Sequence, residues 1–166
     1  MQVILLIAVM CSCAVGDEDL HNRWPCQPTN KRKAFKNFER NHILPKNFDT
    51  NSTSEWQRHI TGLNRRNPNQ TFFEWSKANL VKKICNGGGW SVDGDLCTSF
   101  SKIPVYEVTT SNGTVEQFKE VNESHVTVAC DKVGGKCLPV HFHGSHQNKN
   151  HSNVTCSPAL ADRWAA

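Results

Sequence analysis

Two rhythms of apolar and polar positions divide this chain. Phe35, Phe38 and His42 stand three and four residues apart and share one face of a helix read over 33–44. Pro45 ends that helix, because a residue before proline is pushed out of helical backbone. A second helix is read over 55–63 with Ser54 as its cap, and a third over 76–84. Residues 71–75 are strand-like, 47–54 and 64–69 are polar loops, and the glycine-rich 86–94 reads as a loop. From residue 98 the rhythm turns to β-structure. Residues 98–109 carry Phe100, Ile103, Val105, Tyr106 and Val108. Ser111-Asn112-Gly113 predicts a hairpin turn, since Asn-Gly readily takes positive φ. Strands over 114–121, 126–130 and 138–142 follow. Helices first and antiparallel strands later predict an α+β fold without internal repeats.

The N-terminus changes the picture of where such a fold works. Val3 to Met10 is an apolar run, with Ala14 and Gly16 before the charged Asp17-Glu18-Asp19. The pattern predicts a signal peptide over 1–16, because the run is too short to span a bilayer. No later stretch is apolar enough to do so, and the chain is expected to be secreted. A polar arm over 17–32 holds Pro25 and Pro28. The folded domain is expected over 33–144, and a flexible tail over 145–166, tied down if Cys156 is bridged.

Loss of the leader removes Cys11 and Cys13 and leaves Cys26, Cys85, Cys97, Cys130, Cys137 and Cys156. An even number in an oxidising compartment reads as disulfides, with the pairing open. The absence of a CxxC pair argues against a zinc finger. The histidines near the end (His141, His143, His146 and His151) match no standard metal spacing, so neither metal nor cofactor is expected. Six N-x-S/T sequons, at Asn51, Asn69, Asn112, Asn122, Asn150 and Asn153, predict a glycoprotein. The net charge of +4, with basic residues gathered between Lys31 and Lys83, suits either a polyanionic partner or an ordinary basic surface.

Phe38-Glu39-Arg40-Asn41-His42 and Pro139-Val140-His141-Phe142, with Gln70-Thr71-Phe72 and His125-Val126-Thr127-Val128-Ala129-Cys130 between them, resemble in order and spacing the catalytic blocks of the ribonuclease A superfamily. The resemblance covers about 33–143. It implies a ribonuclease A-like α+β fold, with three short helices and a bent, disulfide-bonded antiparallel sheet. It implies a pyrimidine-preferring endoribonuclease with His42 as general base and His141 as general acid. RNA carries its own nucleophile, the 2′-hydroxyl, and imidazole titrates near neutrality, so two histidines suffice for the proton transfers. By the same resemblance Thr71 contacts the base, Phe142 walls the pocket and Asn41 touches phosphate.

The family lysine that stabilises charge on phosphorus falls on Asn67, leaving Arg65 or Arg66 as substitutes of different shape and reach. The aspartate that normally follows Pro-Val-His-Phe is His143, and the Asn69 sequon stands beside the expected cleft. The resemblance implies a Cys85–Cys130 bridge and leaves Cys26, Cys97, Cys137 and Cys156 unassigned. By the same resemblance two other family bridges have lost both partners: Trp56 and Thr109 lie near one pair, and Arg66 replaces a member of the other. These departures keep open a second reading, a non-catalytic secreted ribonuclease-like ligand in host defence, reproduction or signalling, with a cell-surface receptor or polyanion as partner. On either reading the chain is expected to be a monomer.

Overall fold

The computed structural model describes residues 24–29, 31–63, 67–147 and 151–158. The predicted leader, Arg65, Arg66 and the Asn150 sequon lie outside the described residues. The elements are β1 (Gln27–Pro28), α1 (Ala34–His42), α2 (Thr53–Leu63), β2 (Asn69–Phe72), a 3-10 turn (Trp75–Lys77), α3 (Ala78–Ile84), β3 (Gly89–Ser91), β4 (Leu96–Ser99), β5 (Val105–Ser111), β6 (Thr114–Val121), β7 (His125–Val133) and β8 (Lys136–His146). The expected α+β class holds. The β-structure is divided into a five-stranded sheet, in the order β1-β7-β4-β3 with β8 also on β7, and a three-stranded sheet, β2-β5-β6. All pairings are antiparallel except β1 on β7.

Several elements differ from the sequence reading for local reasons. The third helix opens as a 3-10 turn, and its α-helical part starts at Ala78. Ser52 rather than Ser54 caps α2, its hydroxyl accepting the Glu55 N–H at 3.3 Å. The strand expected over 98–109 is two strands in different sheets, with the crossing at Pro104, whose nitrogen has no proton for a ladder. The expected loop over 86–94 contains β3. There a Cβ on Gly89 would lie 2.7 Å from the Thr98 carbonyl oxygen, so glycine is what lets this strand approach β4. The Asn112-Gly113 turn forms as expected, with φ of 50° and 80°.

Two cores result. The first lies under α1 and α3 on the larger sheet and contains all six described cysteines. Cys85–Cys130 forms as the resemblance implied, and the remaining four pair as Cys26–Cys137 and Cys97–Cys156. Cys26–Cys137 draws part of the polar arm into the fold, where Gln27–Pro28 pair with β7. Cys97–Cys156 holds the described end of the chain against β3, with main-chain bonds from Ser91 to Val154 and from Cys156 to Gly89, both 2.8 Å.

The second core joins α2 to the smaller sheet around Trp56, which is fully buried. Its indole sits 4.6 Å from Phe48 and 5.6–5.7 Å from Phe72, Tyr106 and Phe118. Its Nε1–H donates to the Thr50 carbonyl at 2.9 Å. Aromatic packing thus occupies the region where the resemblance implied a lost bridge. Trp56→Ala is expected to destabilise the fold by about 3–5 kcal/mol. The check is the urea midpoint of the oxidised protein, and a loss below about 1 kcal/mol would mean that the core does not depend on this residue.

Candidate active site

α1 presents its functional face at its C-terminal end. Phe38, 2 % exposed, anchors the helix in the first core, and His42 lies one turn further on the same face. Ile43 leaves the helix with φ −105° and ψ 120°, so the chain becomes extended at once. The Phe73 N–H donates to the His42 carbonyl at 2.7 Å, and the Leu44 N–H donates to the Phe73 carbonyl at 2.9 Å. These bonds splice the end of α1 onto the chain leaving β2.

The splice brings the His42 ring against β2. Its Nδ1 lies 2.9 Å from the Thr71 carbonyl oxygen. A carbonyl only accepts, so Nδ1 bears the proton and the basic lone pair of the neutral ring is on Nε2. His42 is 8 % exposed, with the Phe38 ring at 5.2 Å and the Phe142 ring at 5.3 Å. Phe142 also meets Phe73 edge-on at 5.8 Å.

His141 precedes Phe142 on β8, which packs against α1. It is exposed and sits opposite Ala129 of β7. The ladder slips on both sides of this dipeptide, between Thr127 and Val128 and between Ala129 and Cys130, leaving Val140 and His143 as extra residues on β8. Such bulges bend a strand and re-aim its side chains. The two histidine segments therefore meet through Phe142. Asn41 is half-buried beside His42 on α1.

Asn67, which the resemblance aligns with a lysine, is exposed, and its Oδ1 accepts the Asn69 N–H at 3.0 Å. It shapes the turn into β2. Beside Thr71 a cavity of about 270 Å³ is lined by Asn69, Gln70, Thr71, Glu107, Thr109 and Lys119, among others. Glu107 pairs with Thr71 across β2 and β5, and its carboxylate lies 3.0 Å from the Lys119 ammonium. Glu107 and Lys119 were not singled out from the sequence. Neither stands in a local motif, and only the hairpin register brings them to Thr71. Asn69 is exposed at the same cavity, and the sequon residues Asn51, Asn112, Asn122 and Asn153 are also exposed.

The Thr71 contact makes a spectroscopic prediction. In its neutral form His42 is expected to carry its proton on Nδ1. Long-range ¹⁵N–¹H correlation spectra should then show Nε2 as the unprotonated nitrogen, and an Nε2–H tautomer would refute the assignment.

The fold has solved counterparts. The chain is similar to green turtle egg white ribonuclease, with 21 % sequence identity and a TM-score of 0.52, over 68 % of this chain and 98 % of that one. It is likewise similar to SS-RNase-2 in its des116-120 form, with 22 % identity and a TM-score of 0.53, over 69 % of this chain and 99 % of that one. No family model matches the chain, and no curated protein matches it in sequence. The likeness is one of fold and spans nearly the whole of both ribonucleases, and this chain has the ribonuclease A-like fold that its two histidine segments implied.

Proposed function

We propose that this chain is a secreted, pyrimidine-preferring endoribonuclease that cleaves RNA by transphosphorylation with a histidine base and a histidine acid. The observation that carries the reading is the hydrogen bond from His42 Nδ1 to the Thr71 carbonyl. It supports an Nε2 lone pair at the segment that also bears the base-contacting threonine of the resemblance.

In this mechanism His42 Nε2 takes the proton of the ribose 2′-hydroxyl. The 2′-oxygen attacks phosphorus, the bond from phosphorus to the 5′-oxygen breaks, and the His141 imidazolium gives its proton to that oxygen. The products are a 2′,3′-cyclic phosphate and a free 5′-hydroxyl. No step requires a metal or cofactor. Thr71 contacts the base, Phe142 closes the pocket wall and Asn41 reaches a phosphate oxygen. Arg65 or Arg66 is the cation offered in place of the lysine, with a guanidinium of different shape and reach.

The three buried disulfides, the exposed sequon asparagines among the described residues and the apolar run at the N-terminus support export to the cell exterior as a glycoprotein. No helix among the described residues is long and apolar enough to cross a membrane.

Asn67 favours the second reading, a non-catalytic ligand that recognises a receptor or polyanion. Its side chain is engaged in the turn before β2 and carries no charge. Loss of one preorganised charge-stabilising donor typically costs on the order of 10²–10³ in rate. Weak cleavage is therefore the expected result.

Cleavage of a short uridine-containing RNA, with a chelator present, separates the two readings. Activity is expected to fall by about 10²–10⁴ in His42→Ala and in His141→Ala, and to vanish on a deoxyribose substrate. Cleavage no greater than that of these variants would leave the ligand reading.

A separate expectation concerns Asn69, which lines the Thr71 cavity. Removing a glycan there, by Asn69→Gln, should raise kcat/KM on long RNA more than on a dinucleotide. Equal effects on both substrates would place any glycan clear of the RNA path.

A further inference from the structure

A groove of about 790 Å³ opens on a different face of α1 from the one that carries Phe38 and His42. It lies between α1, α2 and the 3-10 turn that leads into α3. Its apolar surface comes from Ile43, Leu44, Phe48, Leu63 and Trp75, and Trp75 is 52 % exposed. Apolar side chains gathered along one concave lining, rather than scattered singly, are a feature of sites that receive something.

The charges of the groove narrow what it receives. Arg40 enters from α1 and Arg58 from α2, and neither makes an ion pair among the described residues. Glu39, the acid beside Arg40, is engaged by Lys82 at 3.1 Å, which leaves Glu55 as the other acid of the lining. Lys46 adds a further cation over the Trp75 ring, 5.3 Å from its centre. The lining is therefore positive overall. His59 forms part of the wall, edge-on to Phe48 at 5.4 Å and to Phe72 at 5.2 Å, with its Nε2 buried and without a hydrogen-bond partner. Burial holds its pKa below the ordinary histidine value, so this wall is uncharged at neutral pH.

We propose that the groove binds one molecule of an amphiphilic organic anion, with its apolar body on Phe48, Leu63 and Trp75 and its carboxylate or sulfonate head on Arg40 and Arg58. The volume falls within the range of about 300–1,000 Å³ that small-molecule sites occupy. Guanidinium groups suit oxyacid heads, two oxygens of which they bind at once through paired N–H donors. A bare phosphate would leave the apolar surface unused, and a cation would meet two arginines. The occupant is a free molecule, since the groove has room for one body rather than a flat face for a lipid surface.

The probe is 8-anilinonaphthalene-1-sulfonate on the full oxidised chain. Native near-UV circular dichroism is recorded alongside, because loosened folds also bind this dye. One site per chain is expected, displaced by decanoate and left in place by 1-decanol, inorganic sulfate and anionic vesicles. A plug is available at Gly62 of α2, where an added Cβ meets nothing within 4 Å and glycine is a poor helix former. Gly62→Phe is expected to keep the fold and weaken dye binding at least about tenfold. Combined Arg40→Ala and Arg58→Ala should weaken it about tenfold as well, the scale of one good charged contact. Undiminished binding in Gly62→Phe, equal displacement by 1-decanol, displacement by vesicles, or no dye binding to the full chain would each overturn the proposal.

Discussion

The architecture around the site turns on one junction, the splice between the end of α1 and the chain leaving β2. Two main-chain hydrogen bonds tie residues 42 and 44 to Phe73, and the His42 ring adds a third bond to Thr71 two residues upstream. A helix of nine residues is too short to be stable alone. It is held because Phe38 and His42 are buried and because its terminus becomes a strand-like partner of Phe73. The same junction that secures the helix therefore sets the tautomer of the imidazole. A main-chain acceptor is insensitive to which side chain Thr71 carries, so this part of the site tolerates sequence drift.

The two cores show two ways of holding a small α+β fold. The larger sheet is stapled by three bridges, and two of these reach segments outside the compact middle of the chain, at Cys26 and Cys156. The smaller sheet has no bridge among the described residues and relies on the Trp56 cluster instead. A buried aromatic of this size contributes on the scale of a disulfide, about 2–4 kcal/mol. The exchange is physically sensible. A bridge constrains two points of the chain, whereas the indole organises Phe48, Phe72, Tyr106 and Phe118 and at the same time caps a main-chain carbonyl.

Much of this was legible in the sequence, wherever a local signal and its structural consequence coincide. Phe35, Phe38 and His42 gave the face of α1, Pro45 its end, and Asn112-Gly113 the hairpin. The resemblance pointed to Cys85–Cys130, a contact that no periodicity encodes, whereas the bond from His42 to the Thr71 carbonyl came only from the structure. What escaped depends on register and on residues far apart. Counting outward from the turn pairs Glu107 with Phe118. A bulge at Glu116 shifts the ladder so that Lys119 stands opposite instead. That slip creates the Glu107–Lys119 ion pair at the Thr71 cavity, and its energetic origin is not local. Likewise Gly87-Gly88-Gly89 reads as loop, because composition does not reveal that the Thr98 backbone lies within Cβ distance of Gly89.

The proposed chemistry separates two requirements that usually travel together. Orientation of the base comes from backbone and packing, and it is intact here in the Thr71 bond and the flanking Phe38 and Phe142 rings. Stabilisation of charge on phosphorus needs a cationic side chain at a defined place, and there the resemblance sets Asn67, whose side-chain oxygen is engaged in the turn before β2. Orientation rests on many atoms and a single substitution seldom abolishes it. Charge stabilisation rests on one side chain and a single substitution removes it. A scaffold altered in this way keeps its cleft and its histidine geometry while its rate falls, so the same cleft can pass from turnover toward recognition without any change of fold.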